Sequence, residues 1–378
     1  MLFDAPSLQP DERWVLGEVE ELRSRLGARM RESRRWVGLL RRVSLARAIQ
    51  GSNSIEGYNA SIDDALAAVD REDPIDASDE TWAAITRYRE AMSYVLQLAD
   101  DIHFVLDTSL IRSLHYMMLS YDASKSPGRW RLGPVFVRRE ETGEIVYTGP
   151  DAALVPPAMN ELVDRMREEQ GPAIVRAAMA HLNLVMIHPF RDGNGRMARC
   201  LQTLVLAREQ ILGPDFCSIE EYLGRMTPAY FDVLAEVGGG RWRPDRDARP
   251  WLRFCLTAHF RQGRALLRRV ERSERRWSAL EELVQAQGLP ERSIAALFNA
   301  AQGHRLRNAT YRVLAEKVTE LVASRDLRSL VEAGLLEPHG EKRGRYYTAS
   351  ATLRQVDASI GGDDPIERAD PFELAREA

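Results

Sequence analysis

The sequence has three cysteines, no long apolar run and no evident internal repeat. Cys200, Cys217 and Cys255 lie far apart and have no metal-site spacing. They therefore predict buried thiols in a reducing compartment, and we expect a cytoplasmic protein. No run of about 18 apolar residues suggests a membrane span. No charged segment followed by an apolar one suggests a secretory signal. We accordingly expect no membrane partner.

A large excess of charge of one sign is also missing. The net charge of −4 gives no global reason to expect nucleic acid or acidic lipid as a partner. With 378 residues, 44% of them hydrophobic, the chain is long enough to bury a large core. We expect it to form two or three domains.

One dense cluster of reactive and small residues stands out at positions 188–199, which read HPFRDGNGRMAR. Apolar stretches flank it on both sides and predict two buried helices joined by a polar loop. A loop of small residues at a helix start directs backbone N–H groups and the positive end of the helix dipole at one point. Such a point binds anions, and phosphate is the natural occupant.

The side chains of this cluster suit phosphate transfer. Asp192 is a suitable ligand for Mg²⁺, which shares oxygen ligands with phosphates, although the residue is also a plausible helix cap. Arg196 and Arg199 are three apart, on one helix face, and can clamp phosphate oxygens. His188 can take a proton from an attacking hydroxyl, although a lone histidine there is more often a capping or core residue. Gly193, Asn194 and Gly195 would form the anion cradle.

These twelve residues match the signature His-x-Phe-x-(Asp/Glu)-Gly-Asn-Gly-Arg-x-x-Arg without a gap, and the chain resembles the Fic-domain family from about Ser52 to about Phe254. The resemblance implies a mainly α fold, in which a helical core carries a β-hairpin flap. It implies a protein adenylyltransferase, with Mg²⁺ and with ATP as substrate, that transfers AMP to a Tyr, Thr or Ser hydroxyl of a target protein. Self-modification is common in such proteins. Relatives that remove AMP, or transfer phosphate or another nucleotide, leave the specificity open.

Further segments extend the resemblance around the site. Two β-prone runs predict the flap hairpin, in which Ile145, Val146 and Tyr147 would pair with an extended target segment. Tyr230 and Phe231 resemble an aromatic pair that stacks on adenine, and packing of the pair on a neighbouring helix is the alternative. Gly238 stands where relatives often carry an asparagine.

The segment Ser52-Asn53-Ser54-Ile55-Glu56-Gly57 matches the family's inhibitory pattern (Ser/Thr)-x-x-x-Glu-(Gly/Asn). Its position before the catalytic motif resembles the subclass with an N-terminal inhibitory helix. Glu56 would form a bidentate pair with Arg199 and withhold it from the γ-phosphate, although desolvation offsets part of the gain. We therefore predict a resting enzyme that is autoinhibited. Relief through a change in homo-oligomeric assembly is a hypothesis.

We predict five regions along the chain: an N-terminal helical region at 1–99, a Fic core at 100–262, a helical connector at 263–288, a winged helix-like domain at 289–350 and a tail at 351–378 whose composition favours disorder. In the fourth region, residues 323–333 resemble a recognition helix and residues 337–348 a wing. Its basic tip at Lys342, Arg343 and Arg345 suits a phosphate backbone. Self-association or partner binding is the alternative role.

Two function classes therefore compete. The first is the ATP-dependent enzyme. The second is a DNA-binding regulator in which the Fic core is an accessory. The intact set of catalytic residues favours the enzyme.

Overall fold

The computed structural model describes residues 2–30, 34–138, 142–168, 170–209, 218–341, 344–361 and 369–378. Within these ranges the fold is mainly α, with two separate two-stranded antiparallel sheets. Cys217, Lys342 and Arg343 lie outside the described residues. None of the helices in the described ranges is both long and apolar enough to span a bilayer. The elements are α1 (Pro10–Met30), α2 (Arg35–Ser54), α3 (Ile62–Asp70), α4 (Asp79–Ala99), α5 (Thr108–Leu119), β1 (Phe136–Arg138), β2 (Ile145–Thr148), α6 (Val155–Arg167), α7 (Ala173–Ile187), α8 (Asn194–Arg208), α9 (Glu220–Arg225), α10 (Thr227–Gly238), α11 (Arg249–Ala286), α12 (Ile294–Ala301), α13 (Asn308–Leu314), α14 (Glu320–Glu332), β3 (Leu336–His339), β4 (Tyr346–Ala349), α15 (Ala351–Ser359) and α16 (Pro371–Glu377).

Helices α7 and α8 form the centre of the core. Both carry apolar residues on nearly every face, and such helices must be surrounded by protein. They pack against each other, with α4 against α8 and α11 against α7. The Trp251 indole of α11 donates to the carbonyl of Ala178 in α7 at 2.7 Å, which satisfies a polar atom in the middle of this packing. The two helices therefore hold the loop between them on a rigid base.

The long helix α11 spans a boundary that the sequence analysis placed at residue 262. It runs without a break for 38 residues, from the predicted core through the predicted connector. Leu266 and Val270 continue its buried apolar stripe into the connector. Helix α1 packs along it, and the apolar residues of α1 are buried: Val15, Val19, Leu22 and Leu26. The end of the predicted core and the predicted connector are thus parts of one continuous helix.

Residues 289–350, which we call the C-terminal module, comprise α12, α13, α14 and the β3–β4 hairpin. An isolated antiparallel β-bridge pairs Leu306 with Tyr347 of β4. The winged helix stays a prediction for this module. The predicted recognition segment 323–333 overlaps α14, and the predicted wing at 337–348 overlaps the β3–β4 hairpin, with residues 342–343 outside the described residues.

The C-terminal module packs against α2 and α3, the helices on either side of Glu56. Asp63 of α3 accepts from the Arg305 backbone N–H at 3.1 Å and faces the Arg305 guanidinium at 3.6 Å. The Thr310 hydroxyl donates to Glu72 at 2.9 Å. Arg307 donates to the backbone carbonyls of Asp73 and Pro74, just after α3. The module is therefore attached to the part of the chain that carries Glu56.

The expectation of a disordered tail is wrong for the described residues of 351–378, which form α15 and α16. Leu353 and Phe372 are buried. The acidic residue Asp357 pairs with two arginines of α11, and Arg253 lies over the Phe372 ring at 3.8 Å. The composition of the tail suggested that its charges face solvent. In the structure, arginines of α11 instead neutralise the charge of Asp357.

Candidate functional site

The loop between α7 and α8 has a left-handed residue near each end. His188 has φ of 51° and Gly193 has φ of 74°. A Cβ at Gly193 would lie 2.8 Å from Leu119, so glycine is required both for the backbone conformation and for the space. The Asn194 side chain accepts from the Phe190 N–H at 2.9 Å and donates to the Phe190 carbonyl at 3.0 Å. Both polar ends of Asn194 therefore brace the loop, whereas we expected this side chain in the anion cradle.

Two residues that the sequence analysis did not assign to the site fix this loop. His115 bonds the Asp192 carbonyl through Nε2 at 2.9 Å and accepts from Gly128 N–H through Nδ1. Its ring stacks on Phe190 with centroids 3.6 Å apart. Arg131 donates to the His188 carbonyl at 2.8 Å and to Pro150, which links the loop to the hairpin end. Arg131 ends residues 127–131, which read PGRWR, and this Pro-Gly-x-aromatic-Arg stretch is the sequence signal that identifies it.

His188 is held as a neutral base. Its Nδ1 lies 3.1 Å from the Val185 carbonyl, a contact that a proton on Nδ1 would satisfy. That tautomer leaves Nε2 as an acceptor. Burial lowers the pKa of His188 to about 4, with the Val185 bond opposing the shift. The imidazole is therefore unprotonated at neutral pH, as a general base must be.

Asp192 lies at the exit of the loop. Its Oδ1 accepts from Gly193 N–H at 2.5 Å. This bond is not a helix cap, because α8 begins at Asn194 without a side-chain cap hydrogen bond among the described residues. Its Oδ2 lies 3.3 Å from the Lys125 ammonium, and the side chain is partly exposed. The described residues include no cluster of three acidic, histidine or cysteine side chains that could hold a metal. Mg²⁺ often uses one carboxylate together with substrate phosphates, and Asp192 fits that requirement.

The two arginines of the motif are buried and carry unsatisfied donors. Arg196 and Arg199 are each 1% exposed. Within the described part of the chain, Nε and Nη1 of Arg196 and Nη1 of Arg199 have no hydrogen-bond partner. Buried polar atoms are almost always paired, so these three neighbouring donors are available to an anion. Burial opposes the charge of both side chains, but Glu56 outweighs it and their pKa values are raised.

Glu56 comes to the arginines from the turn after α2. Its Oε1 accepts from Nη2 of Arg199 at 2.7 Å. The pair has this one hydrogen bond and is not the bidentate pair that we expected, because Nε and Nη2 of Arg199 also donate to the hydroxyl and carbonyl of Ser52 at 2.8 and 2.9 Å. Gly57 follows with φ of 83° and ends the turn. A Cβ at Gly195 would collide with the Glu56 carboxylate, which therefore lies over the first turn of α8.

Close helix packing sets the position of Ser52 and Glu56. A Cβ at Gly51 would lie 2.5 Å from the Glu220 carbonyl, and one at Gly224 would lie 2.6 Å from Gly51 Cα, so these two glycines allow α2 to approach α9. The buried carboxyl of Glu220 lies on this interface and accepts from Thr203. Burial raises the pKa of Glu220 to about 7, against the opposing effect of Arg199.

The flap hairpin forms as predicted, with β1 and β2 antiparallel and a register shift after Val137. Tyr147 points inward, where its hydroxyl donates to the Met186 carbonyl at 2.7 Å. A Cβ at Gly238 would lie 3.1 Å from the Tyr147 ring, so Tyr147 fills the space at that position. Ile145 is exposed and Val146 partly so. Tyr147 thus anchors the hairpin, and of the three flap residues named from the sequence Ile145 is the most exposed.

The two members of the aromatic pair, Tyr230 and Phe231, differ in burial. Tyr230 is 1% exposed, and its hydroxyl lies 2.9 Å from His181 Nε2. Its ring lies against Trp251 with centroids 6.0 Å apart. Tyr230 therefore packs in the core, as the packing alternative expects, and its contact with adenine stays a prediction. Phe231 is 49% exposed, so its ring remains accessible.

The chain is similar to known proteins in sequence and in fold. Residues 105–206, about a quarter of the chain, match the Fic/DOC family. The chain carries a Fic domain. A Fic family protein from Desulfovibrio desulfuricans G20 has the same fold, with a TM-score of 0.58 and 20% identity over 92% of this chain and 98% of that one. A Fic domain-containing signaling protein from Bacteroides thetaiotaomicron VPI-5482 matches with a TM-score of 0.53 and 21% identity, over 69% of this chain and 96% of that one.

Curated relatives match this Fic-domain protein over shorter stretches. Protein adenylyltransferase fic-1 of Caenorhabditis elegans is 35% identical over 101 residues, which are 26% of this chain and 18% of that protein. Protein adenylyltransferase Fic of Nematostella vectensis is 26% identical over 226 residues, 54% of this chain and 45% of that protein. The chain therefore spans less than half the length of these relatives.

Proposed function

We propose that the protein is a protein adenylyltransferase that transfers AMP from ATP to a hydroxyl side chain and is held inactive by Glu56. One observation carries the proposal. A carboxylate of the chain itself lies over the first turn of α8 and pairs with the buried Arg199, while three neighbouring guanidinium nitrogens have no partner among the described residues. An internal anion thus covers part of an anion site whose remaining donors are unused. The relatives that bear the name adenylyltransferase support the choice of reaction.

In the active form, the residues of the loop would act on the two reacting groups separately. Nε2 of His188 would take the proton of the incoming hydroxyl as its oxygen forms a bond to the α-phosphorus of ATP. The bond between that phosphorus and the bridging oxygen of the β-phosphate breaks, and pyrophosphate leaves. The first turn of α8 and the arginines would hold the phosphates, because such a reaction depends on positioning and charge neutralisation. Mg²⁺ held by Asp192 would neutralise phosphate charge.

Inhibition would follow from competition for Arg199. A γ-phosphate needs the guanidinium that Glu56 and Ser52 now occupy, so a bound ATP would lie with its phosphates out of line. Small positional errors of this kind cost large factors in rate. Release of Glu56 would free Arg199 and complete the phosphate site.

Mass spectrometry of the intact chain after incubation with ATP and Mg²⁺ tests the function directly, because self-modification needs no known target. We expect an added AMP on Glu56→Gly, much less on the unaltered chain, and none on the double variant Glu56→Gly with His188→Ala. The double variant should still bind ATP. Absence of any AMP adduct on Glu56→Gly, with either self or lysate protein as acceptor, contradicts the assignment.

The C-terminal module supports a second candidate function, binding of nucleic acid. Helix α14 exposes Arg325 and Arg328, and Arg345 is exposed beside the wing tip. Asp326 on the same helix points inward and pairs with Arg292, so it takes no part in the outer surface. The test is a gel shift of the full chain with duplex DNA, since the module shares contacts with α2, α3 and α11. Binding that weakens as salt rises supports it, and an unshifted duplex at low salt rejects it.

A further inference from the structure

Tyr58 follows Glu56 by two residues and also contacts the site. Its hydroxyl accepts from the Lys125 ammonium at 2.5 Å. That ammonium lies 3.3 Å from Oδ2 of Asp192 and over the rings of Tyr58 and Tyr121, at 5.3 and 5.4 Å. The Tyr121 hydroxyl donates to the Tyr58 hydroxyl at 3.2 Å. Tyr58 therefore connects the Glu56 turn to Lys125, and through it to Asp192.

The same tyrosine covers one of the motif arginines. The guanidinium of Arg196 lies 5.2 Å from the centre of the Tyr58 ring, within the range of a cation–π contact. Glu56 holds Arg199, and Tyr58 holds Arg196 by its ring and Lys125 by its hydroxyl. The turn from 56 to 58 thus engages three cations around the start of α8.

Lys125 has the properties of a phosphate ligand. It lies beside the proposed metal ligand, and its side chain is 16% exposed, so its charge is screened less than that of a surface lysine. A charged, partly buried ammonium next to two arginines with unused donors is electrostatically suited to a polyphosphate.

We propose that Lys125 is a third phosphate-binding cation of the nucleotide site, alongside Arg196 and Arg199, and that Tyr58 withholds it while Glu56 is in place. The proposal rests on the proposed function and names a further residue of the same site. Movement of the Glu56 turn removes the hydroxyl that holds the ammonium and leaves Lys125 free to contact a phosphate near Asp192.

Calorimetric titration of ATP into the full-length Glu56→Gly chain, with Mg²⁺ present, tests this role. Lys125→Met in that background should raise the Kd for ATP about tenfold, which corresponds to about 1.4 kcal/mol. It should leave the Kd for adenosine unchanged, because adenosine has no phosphate. Lysine is rare in this chain, with three in 378 residues, and Lys317→Met is the matched control. Lys317 is exposed in the C-terminal module, so its replacement should change neither Kd.

A second measurement tests whether Tyr58 keeps Lys125 away from the phosphates of ATP. Tyr58→Phe, in the chain that retains Glu56, keeps the ring over Arg196 but removes the hydroxyl that holds Lys125. It should lower the Kd for ATP several-fold, and Lys125→Met should cancel the gain. An unchanged ATP affinity in Lys125→Met with Mg²⁺ present overturns the proposal, as does an equal loss for ATP and adenosine, which would indicate a structural role. Failure of Glu56→Gly to bind ATP at all would instead reject the proposed function.

Discussion

The contacts of Arg199 allow the strength of the inhibition to be predicted contact by contact. The guanidinium makes three described hydrogen bonds to the segment that ends in Glu56: from Nε to the Ser52 hydroxyl, and from Nη2 to the Ser52 carbonyl and to Glu56. The bond to Glu56 joins opposite charges. Arg199 is fully buried and the Glu56 side chain is 22% exposed, so solvent screens this pair weakly.

Three substitutions separate these contributions. A hydrogen bond between charged groups contributes about 1.5–3 kcal/mol and a neutral one about 1 kcal/mol. Glu56→Gly removes the whole charged bond and should raise the rate of AMP transfer about 10- to 150-fold, at about 1.4 kcal/mol per tenfold. Glu56→Gln keeps an acceptor without the charge and should raise it about tenfold, because charge roughly doubles the bond strength. Ser52→Ala removes one bond from the charged guanidinium to an uncharged hydroxyl, so the gain should be smaller than for Glu56→Gly, about fivefold.

The assay is the initial rate of AMP incorporation from α-labelled ATP, with thermal unfolding as a check that each variant is folded. Arg199→Ala is the control, because it also breaks the contact but removes the residue that the nucleotide needs, so its rate should not rise. The predicted order of the rates, from fastest to slowest, is Glu56→Gly, Glu56→Gln and Ser52→Ala. A Gln variant as slow as the unaltered chain, or a Ser52→Ala variant as fast as Glu56→Gly, would refute a mechanism based on charge neutralisation.

Three further outcomes follow from the structure. Asn194→Ala leaves the Phe190 N–H and carbonyl unsatisfied in a buried loop, so urea unfolding should show a loss of about 2–4 kcal/mol; unchanged stability would contradict the brace. Glu220 has its folded pKa raised to about 7, so its contribution is full below the unfolded pKa of 4.5 and is lost as pH rises through 7. The free energy of unfolding of the unaltered chain should therefore fall by about 2–3 kcal/mol relative to that of Glu220→Gln between about pH 5 and pH 8. The same pH dependence of stability in both chains would contradict this. Arg305→Ala removes the guanidinium that faces Asp63, so a looser α3 should raise AMP transfer about two- to threefold; no rise would show that the C-terminal module leaves Glu56 unaffected.

Sequence reasoning worked best where local pattern and tertiary packing agree. The apolar stretches on both sides of 188–199 predicted two buried helices and a loop, and α7 and α8 have that arrangement. Two β-prone runs predicted the flap hairpin, and the resemblance to the Fic-domain family implied the mainly α fold. The period of the apolar residues marks which face of an element is buried, and a single dominant core leaves little choice of partner.

Reasoning from the sequence was weaker for side chains whose packing or hydrogen-bond partners the local pattern does not identify. Asn194 looks like a ligand residue in the motif, but its partner is the backbone four residues earlier. The sequence alone does not show whether Tyr230 is exposed or buried. In the structure its hydroxyl contacts His181, which is 49 residues away in the chain. The tail looks disordered until α11 supplies the arginines that Asp357 needs. Composition describes a segment alone, whereas burial depends on what packs against it.

The contact of Tyr58 with Lys125 shows why a match to a motif does not exhaust a site. The inhibitory pattern ends at Gly57, and the Pro-Gly-x-aromatic-Arg stretch begins after Lys125, so both residues lie just outside the segments that the patterns describe. The left-handed backbone at Gly57 turns the chain so that Tyr58 faces the ammonium. A turn that already delivers a carboxylate to one cation places its next side chains against neighbouring cations at little additional entropic cost. Contacts of this kind make the closed state depend on several residues, and a signal that loosens the turn would release all of them together.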